Sequence, residues 1–472
     1  MSTLIGREEE TQALARYMNS GKAEFIALYG RRRVGKTFLV LHYFKGKFAF
    51  DTSGIIGGTK KDEMDAFYAS LLNYGYKGSK PENWMEMFAA LRTVLNDSKT
   101  RGRKVIFLDE LPCFDTRCSG FVKALDFFWN NWASRQDNIM LVVCGSATSW
   151  MVRNIINSKG GLHNRITHEI HLHAFTLKET RQFLWKKNMK WDNILIAQVY
   201  MIMGGIPYYL DMLDETKSLS ENIDTLFFHK DAMMKSEYAR LYNSLFNDPK
   251  PYVDVIGALA ANKKGLTRKE IAERIHTSNN GHLSTILEDL ENCDFIRGYY
   301  TLGKQIKTNG QIFQLIDQYS LFYHYFGKLK TRDEHYWTFT LGTPTQNTWY
   351  GLAFERLAMA HIPQILAAMH SDRMHTEYYS WRSNTTTKPA QIDLVIEQAD
   401  GITNICEAKY SSREFTLDKK EYSNIIKRRD NFDNATNGER TLRLVLITTK
   451  GLKANIHADL FNNVVLLKDL FE

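Results

Sequence analysis

Apolar positions along the chain follow two kinds of pattern, which predict two kinds of element. Residues 24–29 (EFIALY), 104–111 (KVIFLDEL) and 138–150 (NIMLVVCGSATSW) each contain a short unbroken apolar run, which is typical of a strand buried on both faces of a parallel sheet. Residues 36–44 (KTFLVLHYF) follow the first run and have the apolar spacing of a helix. Strands that alternate with helices in this way predict an α/β fold.

The pattern changes further along the chain, and the changes predict where domains end. Residues 174–245 have helical spacing, which proline and asparagine interrupt at 247–252 (NDPKPY). Strands return near the C-terminus. These changes predict a multidomain α/β protein with four domains: an α/β core at 1–173, a helical lid at 174–248, a third domain at 249–316 and a C-terminal α/β domain at 317–472.

The third domain has the order of elements of a winged helix-turn-helix. Three helices, the second with Thr267 as N-cap and Glu270 three residues later, precede two strands joined by a basic loop. Its third helix and its wing carry side chains that can contact DNA: Asn279, Asn280, His282 and Thr285, then Arg297, Lys304 and Lys307. The later part of the helix would repel phosphate, because it carries Glu288, Asp289 and Glu291. DNA and protein therefore both stay open as partners.

A glycine-rich loop between the first strand and the first helix matches the phosphate-binding pattern G-x-x-x-x-G-K-[ST]. Its fixed positions are Gly30, Gly35, Lys36 and Thr37. The glycines let backbone N–H groups turn toward phosphates, and the helix N-terminus adds partial positive charge. We expect Lys36 to contact the β- and γ-phosphates of ATP and Thr37 to bind Mg²⁺. The other expected ATP contacts in this stretch are Arg31, Arg32, Arg33, Val34 and Phe38, with a solvated loop as the alternative for at least two of the arginines.

Acidic and hydroxyl side chains end the next two apolar runs. We expect Asp109 to hold Mg²⁺ through water and Glu110 to activate the attacking water as general base, which predicts an ATPase with Lys36 and Glu110 as catalytic residues. Ser146 ends the third run and is a candidate sensor of the γ-phosphate, with a helix N-cap as the alternative. His171 and His173 share one face of a later strand. With no third metal ligand in view, both histidines are predicted to be structural.

These motifs resemble the archaeal-type P-loop ATPases of the AAA+/STAND group, which are distant relatives of the origin-recognition ATPases. The resemblance extends over LIGREEE at 4–10, the phosphate loop, FLDE, CGSA, NRITHEIHLHAFT and GGIPYYL at 204–210. It implies that Gly6 and Arg7 lie against the adenine side of the nucleotide and that Gly205 and Pro207 approach the base. It also implies that Arg165 approaches the γ-phosphate of its own or a neighbouring subunit. No clear second sensor arginine lies near GGIPYYL, which argues against a ring-forming motor, and oligomerisation stays open.

A second group of charged residues belongs to the C-terminal domain. Residues 392–397 (IDLVIE) and 404–410 (NICEAKY) predict a hairpin, with Asp393 on one strand and Glu407 and Lys409 on one face of the other. The helical segment WYGLAFERLAMAHI can aim Glu355 at the same place. Two carboxylates can bind Mg²⁺, and a lysine can orient the water that cleaves a phosphodiester. An ordinary hairpin with an exposed Glu407–Lys409 ion pair is the alternative.

The same residues resemble the PD-(D/E)xK nuclease superfamily. The order Glu355, Asp393, Glu407, Lys409 fits its motif, although Ile392 stands where proline would precede the aspartate. The resemblance implies a C-terminal restriction-endonuclease-like domain, with the three carboxylates as metal ligands and Lys409 as a catalytic residue. In relatives of this type of ATPase, a nuclease-like domain of unassigned role commonly occupies this position.

Composition narrows the class of protein further. The chain has 472 residues, of which 44% are hydrophobic and 24% charged, as expected of a folded multidomain protein. No run is long enough for a membrane helix and the N-terminus has no signal pattern, so we expect a soluble, cytoplasmic protein with no membrane partner. The five cysteines lack metal-binding spacing, which predicts free thiols and argues against a zinc site. The net charge of +8 permits a polyanionic partner without requiring one.

The sequence leaves two functions open. In the first, the protein is an ATP-binding and ATP-hydrolysing switch that controls a nuclease-like C-terminal domain acting on nucleic acid. In the second, it is a STAND-type signalling or scaffolding ATPase whose winged helix and C-terminal domain bind protein or DNA without cleavage. ATP and Mg²⁺ are the expected ligands in both.

Overall fold

The structure is a computed structural model, which describes residues 4–157, 162, 164–300, 311–329, 331, 333–383 and 390–472. The chain divides into two compact units. The first comprises Met1–Ala174, Leu241–Pro249 and Asn292–Asp294, and the second comprises Phe175–Arg240, Lys250–Glu291 and Phe295–Glu472. The four predicted domains divide the chain more finely, and their boundaries stay predictions.

The first unit is built on a five-stranded parallel sheet. Its strands are β1 (Glu24–Tyr29), β2 (Phe50–Ser53), β3 (Lys104–Asp109), β4 (Ile139–Gly145) and β5 (His168–His171). They lie in the order β2-β3-β4-β1-β5, and all neighbours are parallel. Strands β1, β3 and β4 are buried at nearly every position, as their unbroken apolar runs predict. The predicted α/β fold with a parallel sheet is confirmed.

One helix precedes the first strand, and further helices and short turns connect the strands. They are α1 (Glu8–Met18), α2 (Lys36–Tyr43), α3 (Lys60–Asn73), α4 (Trp84–Asp97), α5 (Leu111–Phe114), α6 (Phe121–Asn131), a 3-10 turn (Ala133–Arg135), α7 (Thr148–Met151) and a π-helical turn (Val152–Ile156). The apolar faces of α3, α4 and α6 pack with the sheet in one core, where Trp84 meets the rings of Phe67 and Phe121 edge-on. Each such buried side chain contributes about 1.5–3 kcal/mol to stability, so this core holds the sheet rigidly under the loops at its edge.

The remaining helices lie beyond the first sheet in the sequence. They are α8 (Leu177–Lys186), α9 (Asn193–Met203), α10 (Pro207–Asp211), α11 (Leu219–Ile223), α12 (Met233–Leu245), α13 (Lys250–Ala260), α14 (Arg268–Arg274), α15 (Gly281–Asn292), α16 (Gln318–Phe322), α17 (Tyr336–Phe339), α18 (Pro344–Met359), α19 (Ile362–Ala368) and α20 (Lys419–Ala435). Shorter turns are Asp224–Phe228, Tyr323–Gly327, Ala458–Leu460 and Leu467–Phe471. The helical pattern of residues 174–245 thus corresponds to α8–α12.

A small antiparallel sheet follows α13. It consists of β6 (Leu266–Thr267), β7 (Ile296–Tyr300) and β8 (Gln311–Leu315), in the order β6-β8-β7. Thr267 caps α14 as predicted, because its hydroxyl accepts from the Glu270 N–H at 3.3 Å while the Glu270 carboxylate accepts from the Thr267 N–H at 2.7 Å. The predicted wing residues Lys304 and Lys307 lie outside the described residues.

The C-terminal region contains a second five-stranded sheet. Its strands are β9 (Thr376–Arg382), β10 (Gln391–Gln398), β11 (Ile402–Lys409), β12 (Thr441–Thr448) and β13 (Asn463–Leu466). The order is β13-β12-β11-β10-β9; the first three of these strands run parallel to one another, and β11, β10 and β9 are antiparallel neighbours. Strands β10 and β11 are the predicted hairpin, and Trp381 packs against Phe432 of α20 beneath them.

Membrane-spanning length and cysteine chemistry were also predicted from the sequence. Among the described residues, none of the helices combines the length and the apolar character that crossing a bilayer would require. All five cysteines are free thiols, with Cys118 exposed and Cys144, Cys293 and Cys406 buried.

Candidate functional site

The carboxyl ends of β1, β3 and β4 lie along one edge of the parallel sheet, where ligands of α/β proteins commonly bind. The glycine-rich loop of residues 30–35 follows β1 and leads into α2. Strand β3 ends at Asp109, and Ser146 follows β4. The topology therefore gathers the predicted nucleotide-site residues at one edge, although they are far apart in the sequence.

Lys36 points into the phosphate loop. Its Nζ donates hydrogen bonds to the carbonyl oxygens of Gly30 at 2.8 Å and Arg31 at 2.9 Å, and the residue is only 5% exposed. The loop turns at Gly30 and Gly35, whose φ angles of 144° and 93° favour glycine. The loop is therefore already folded around the ammonium group that is expected to meet the phosphates.

Gly30 is confined by Leu172, the residue that follows β5, and this close approach gives a first testable prediction. A Cβ atom at Gly30 would lie 2.3 Å from the carbonyl oxygen of Leu172. We expect Gly30→Ala to lower the free energy of unfolding by about 1–3 kcal/mol, because backbone must move to relieve the contact, and to weaken ATP binding. Thermal unfolding and ATP titration measure the two effects.

Gly46→Ala is the matched control for this prediction. Gly46 also has a positive φ of 66°, but an added Cβ would have no neighbour within 4 Å. The Gly46→Ala variant places a side chain at a positive φ but causes no steric clash. Its loss of stability should therefore be smaller than that of Gly30→Ala, and its ATP affinity should be unchanged. Equal behaviour of the two variants would rule out the clash as the cause.

Thr37 and Asp109 meet on the expected metal side of the loop. The Thr37 hydroxyl donates to Asp109 Oδ2 at 2.8 Å. Burial raises the pKa of Asp109, nearby Glu110 raises it further, and the hydrogen bond from Thr37 opposes both. A hydroxyl beside a buried carboxylate is an oxygen-ligand set that suits Mg²⁺, and a cation would relieve the unfavourable charge on Asp109. The residues therefore fit the predicted metal.

Glu110 is held by Ser146 across the sheet edge. Its Oε2 accepts from the Ser146 hydroxyl at 2.8 Å and from the Ser146 N–H at 3.2 Å. Glu110 has φ 47° and ψ 47°, a left-handed conformation that costs energy for a residue with a side chain. Ala147, not Ser146, precedes α7 as its N-cap, so the alternative of a capping serine is wrong for this helix. Ser146 instead positions the glutamate.

Arg7 connects three backbone segments beside the loop. Its Nη2 donates to the carbonyl oxygens of Val34 at 3.1 Å and His173 at 2.8 Å, and its Nη1 lies 3.5 Å from Glu10. Gly6 and Arg7 both have positive φ angles, 64° and 65°. Arg7 therefore holds the phosphate loop at Val34 against the segment that follows β5. The adenine contact of Gly6 and Arg7 stays a prediction.

The other predicted nucleotide contacts differ in exposure. Arg31 is buried, whereas Arg32 and Arg33 are partly exposed. Phe38 is 42% exposed, and its ring stacks on His42. Arg165 is exposed in the turn before β5. Pro207, the first residue of α10, and Gly205, two residues before it, belong to the second unit. The roles of these residues stay predictions.

Comparison with known proteins identifies the region that carries this site. A family described as ATPase domains predominantly from Archaea matches residues 4–213. The chain contains an archaeal-type ATPase domain. The domain includes every predicted nucleotide contact from Gly6 to Pro207, and it does not include the carboxylates of the C-terminal sheet.

Two relatives of this chain come from Methanocaldococcus jannaschii. The uncharacterized protein MJECL04 is 25% identical over 362 residues, which cover 75% of this chain and 76% of that protein. The uncharacterized ATP-binding protein MJ0423 is 49% identical over 43 residues, 9% of this chain and 73% of that protein. The match to MJECL04, at 362 residues, is longer than the ATPase domain at residues 4–213.

Solved structures with a similar arrangement were also found. The Walker-type ATPase PABY2304 of Pyrococcus abyssi has 17% identity and a TM-score of 0.46, covering 67% of this chain and 95% of that chain. The ORC2 protein of Aeropyrum pernix has 13% identity and a TM-score of 0.41, covering 68% of this chain and 93% of that chain. At these scores, no property of either protein transfers to this chain.

Three carboxylates outside the ATPase match lie near one another in the C-terminal region. Leu394 pairs with Cys406, and Asp393 and Glu407 are the next residues on β10 and β11. The pairing of β10 with β9 is irregular between Ile392 and Val395, and such a bulge redirects side chains. Burial raises the pKa of Glu355 to about 8, with repulsion from Asp393 as the next cause. Burial and repulsion from Glu407 likewise raise the pKa of Asp393.

Cations balance this group of carboxylates. Lys409 Nζ lies 2.7 Å from Glu407 Oε1 and 2.6 Å from Glu421 Oε1, and Arg428 Nη1 lies 3.1 Å from Glu407 Oε2. The Glu407 side chain is only 10% exposed and that of Lys409 29%, so the predicted ion pair exists but is largely buried. Glu421 and Arg428, both on α20, were missed by sequence reasoning. Their seven-residue spacing on one helix face was the available signal.

Proposed function

We propose that the protein is an ATP-binding and ATP-hydrolysing switch that controls a nuclease-like C-terminal domain acting on nucleic acid. The observation that supports it most directly is the 2.8 Å contact between Thr37 and Asp109 beside the enclosed Lys36. This contact brings the phosphate loop together with the carboxylate at the end of β3, 72 residues away in the sequence. The archaeal-type ATPase domain supports the first half of the proposal, and the C-terminal carboxylates and lysine support the second.

The nucleotide site suggests how hydrolysis proceeds. The phosphate-loop backbone and Lys36 bind and neutralise the phosphates, and Thr37 and Asp109 would hold Mg²⁺. When bound, Mg²⁺ supplies further neutralisation of phosphate charge. Glu110 accepts a proton from the attacking water, while the Ser146 hydroxyl fixes its carboxylate. Ser146 would also respond to loss of the γ-phosphate through this same hydrogen bond.

The connection to the rest of the chain would pass through the segment that follows β5. Arg7 joins the phosphate loop at Val34 to His173, and the chain continues from there into the predicted lid at 174–248. A change of nucleotide at the phosphate loop would therefore alter the position of the chain where the predicted lid begins. ATP binding would order the lid, and hydrolysis would reset it.

A winged helix at residues 249–316 is the proposed recognition domain. The chain order α13, β6, α14, α15, β7, β8, in which the three strands form one antiparallel sheet, supports this assignment. The third helix, α15, would contact the partner. DNA fits the asparagines and His282 near its start, and the buried Asp289, which accepts from the Tyr252 hydroxyl at 2.7 Å, presents less charge to phosphate than the sequence implies.

The C-terminal domain is proposed to cleave phosphodiesters. Glu355, Asp393 and Glu407 would bind Mg²⁺, because the repulsion that helps to raise the pKa of Glu355 and of Asp393 would be relieved by a divalent cation. Lys409 would orient the attacking water or neutralise the phosphate in the transition state. Metal binding would have to compete with Lys409 and Arg428 for the oxygens of Glu407.

A nuclease assay on the full chain tests this proposal. Plasmid and single-stranded DNA are incubated with Mg²⁺ or Mn²⁺, with and without ATP. We expect cleavage by the wild type, and a loss of about 100-fold or more in Lys409→Ala, since the lysine acts on charge that develops in the transition state. Lys420→Ala, an exposed lysine of α20, should cleave normally. Cleavage that persists in Lys409→Ala would contradict the assignment.

One observation favours the alternative function. Both oxygens of Glu407 already have cationic partners, which an ion-paired binding module would also show. In that case, the protein is a signalling or scaffolding ATPase whose winged helix and C-terminal domain bind protein or DNA. Failure of the wild type to cleave either DNA with either metal ion, while it still hydrolyses ATP, would select this alternative.

A further inference from the structure

The first unit holds a third group of charged and aromatic side chains, outside the nucleotide contacts. His171 Nε2 lies 3.3 Å from Asp294 Oδ2, and His173 Nδ1 lies 3.0 Å from the same oxygen. All three residues belong to the first unit. Among the described residues, they are the set of His, Cys, Asp or Glu ligand atoms that all lie within 4.8 Å of one another. The aspartate is the third ligand that the sequence alone did not provide.

We propose that His171, His173 and Asp294 bind a divalent transition-metal ion, with Zn²⁺ as the best match. Two imidazoles and one carboxylate are ligands of intermediate softness, which suit Zn²⁺ and its neighbours rather than Mg²⁺ or Ca²⁺. Three protein ligands leave a fourth position for water. The cysteine spacing argued against zinc in the sequence, but this set contains no cysteine.

The distances agree with such an ion. Zn²⁺ bonds of about 2.0–2.2 Å in a tetrahedron place neighbouring ligand atoms about 3.3–3.6 Å apart. The two His–Asp distances of 3.3 Å and 3.0 Å differ from this range by a few tenths of an ångström at most. The two histidine nitrogens lie within 4.8 Å of each other, so side-chain movements would bring all three ligand atoms to bonding distance of one ion.

A second observation concerns the ring nitrogen of His171. His171 Nε2 is buried and has no hydrogen-bond partner among the described residues. Its 3.3 Å approach to Asp294 is an ion-pair distance without hydrogen-bond geometry. Leaving such an atom unsatisfied costs about 1–3 kcal/mol, and a metal ion between the nitrogen and the carboxylate would remove this cost.

Neighbouring groups fix the orientation of the rings. The Tyr29 ring stacks on His171 with centroids 4.7 Å apart and planes 16° apart. The rings of His171 and His173 lie 4.0 Å apart. Orientation by fixed neighbours is a general feature of metal sites, because it keeps the ligating nitrogens in place before the ion arrives.

The site also contacts both ends of the phosphate loop. Tyr29, which stacks on His171, immediately precedes Gly30. At the other end, Arg7 joins the carbonyl of His173 to that of Val34. A metal ion bound by His171 and His173 would fix the two residues that contact Tyr29 and Arg7, and so would fix both ends of the phosphate loop. We therefore expect the metal-loaded protein to bind ATP more tightly than the metal-free protein.

Metal binding by the full chain without nucleotide tests the proposal. Zn²⁺ is titrated by calorimetry, and Co²⁺ serves as a spectroscopic probe of tetrahedral coordination. We expect stoichiometric binding by the wild type, and a loss of affinity of about 10–100-fold or more in His171→Gln, His173→Gln and Asp294→Asn. Melting without metal shows whether each variant is folded. His173 is 60% exposed, so its variant should fold and decide the question if the others do not.

His168→Gln is the matched control. His168 lies on the same strand as His171 and also pairs with a carboxylate, since its Nε2 is 3.3 Å from Glu24 Oε2. Among the described residues, this pair does not belong to a group of three potential metal ligands. This variant should bind Zn²⁺ and Co²⁺ as the wild type does. The proposal is overturned if the wild type binds neither ion, or if binding survives all three ligand substitutions. Both outcomes are independent of ATP hydrolysis and of DNA cleavage.

Discussion

Glu110→Gln is expected to bind ATP with nearly wild-type affinity and to hydrolyse it about 10²–10⁴-fold more slowly. The amide keeps the size of the side chain and can still accept the hydrogen bond that Ser146 donates at 2.8 Å. It cannot accept the proton of the attacking water. Single-turnover hydrolysis and equilibrium ATP binding, measured on the same preparation, separate the two effects.

Glu169→Gln provides the control for this variant. Glu169 is an exposed glutamate on β5 of the same unit, and its loss should leave hydrolysis unchanged. Ser146→Ala should lie between the wild type and Glu110→Gln, because the base remains but loses its positioning contact. Normal hydrolysis by Glu110→Gln would mean that another group activates the water.

Lys36→Ala is expected to raise the Kd for ATP by a factor of about 30 to several thousand, which corresponds to about 2–5 kcal/mol for truncating one partner of a buried charge contact. The phosphates would lose the ammonium group that the loop encloses. The carbonyl oxygens of Gly30 and Arg31 would lose their donor as well. Titration with a fluorescent ATP analogue measures the affinity directly.

Lys47→Ala is the control for the charge change alone. Lys47 is an exposed lysine shortly after α2, so its removal changes the net charge equally without touching the loop. Its ATP affinity should match that of the wild type. If Lys36→Ala bound ATP as tightly as Lys47→Ala, the assignment of the phosphate loop would be wrong.

The parts of the site that the sequence predicted are those encoded locally. Gly30 to Thr37 form one continuous segment of loop and first helical turn, and Asp109 and Glu110 end an apolar run whose length is typical of a buried strand. Parallel strands bring their carboxyl ends together, so the meeting of Thr37 and Asp109 followed from the fold class. The hairpin of β10 and β11 was predictable for the same reason, because its two strands and its turn are contiguous.

The parts that the sequence did not predict depend on contacts between distant segments. Nothing near Glu407 indicates that α20 would bring Arg428 to its second oxygen. Asp294 lies 121 residues beyond His173, and neither segment contains a metal-binding motif. The hydrogen bonds of Arg7 to the carbonyl oxygens of Val34 and His173 likewise depend on the path of the chain after β5, and no local pattern indicates them; the adenine contact of Arg7 stays a prediction.

The inward position of Lys36 has a consequence for the kinetics of nucleotide arrival. Its ammonium group already has two carbonyl acceptors, so an incoming triphosphate exchanges partners with the loop instead of filling an empty site. Association that requires such a rearrangement is slower than diffusional encounter. The observed rate of ATP binding should therefore level off at high ATP concentration. Its limit would be the rate at which Lys36 breaks its hydrogen bonds to the carbonyl oxygens of Gly30 and Arg31.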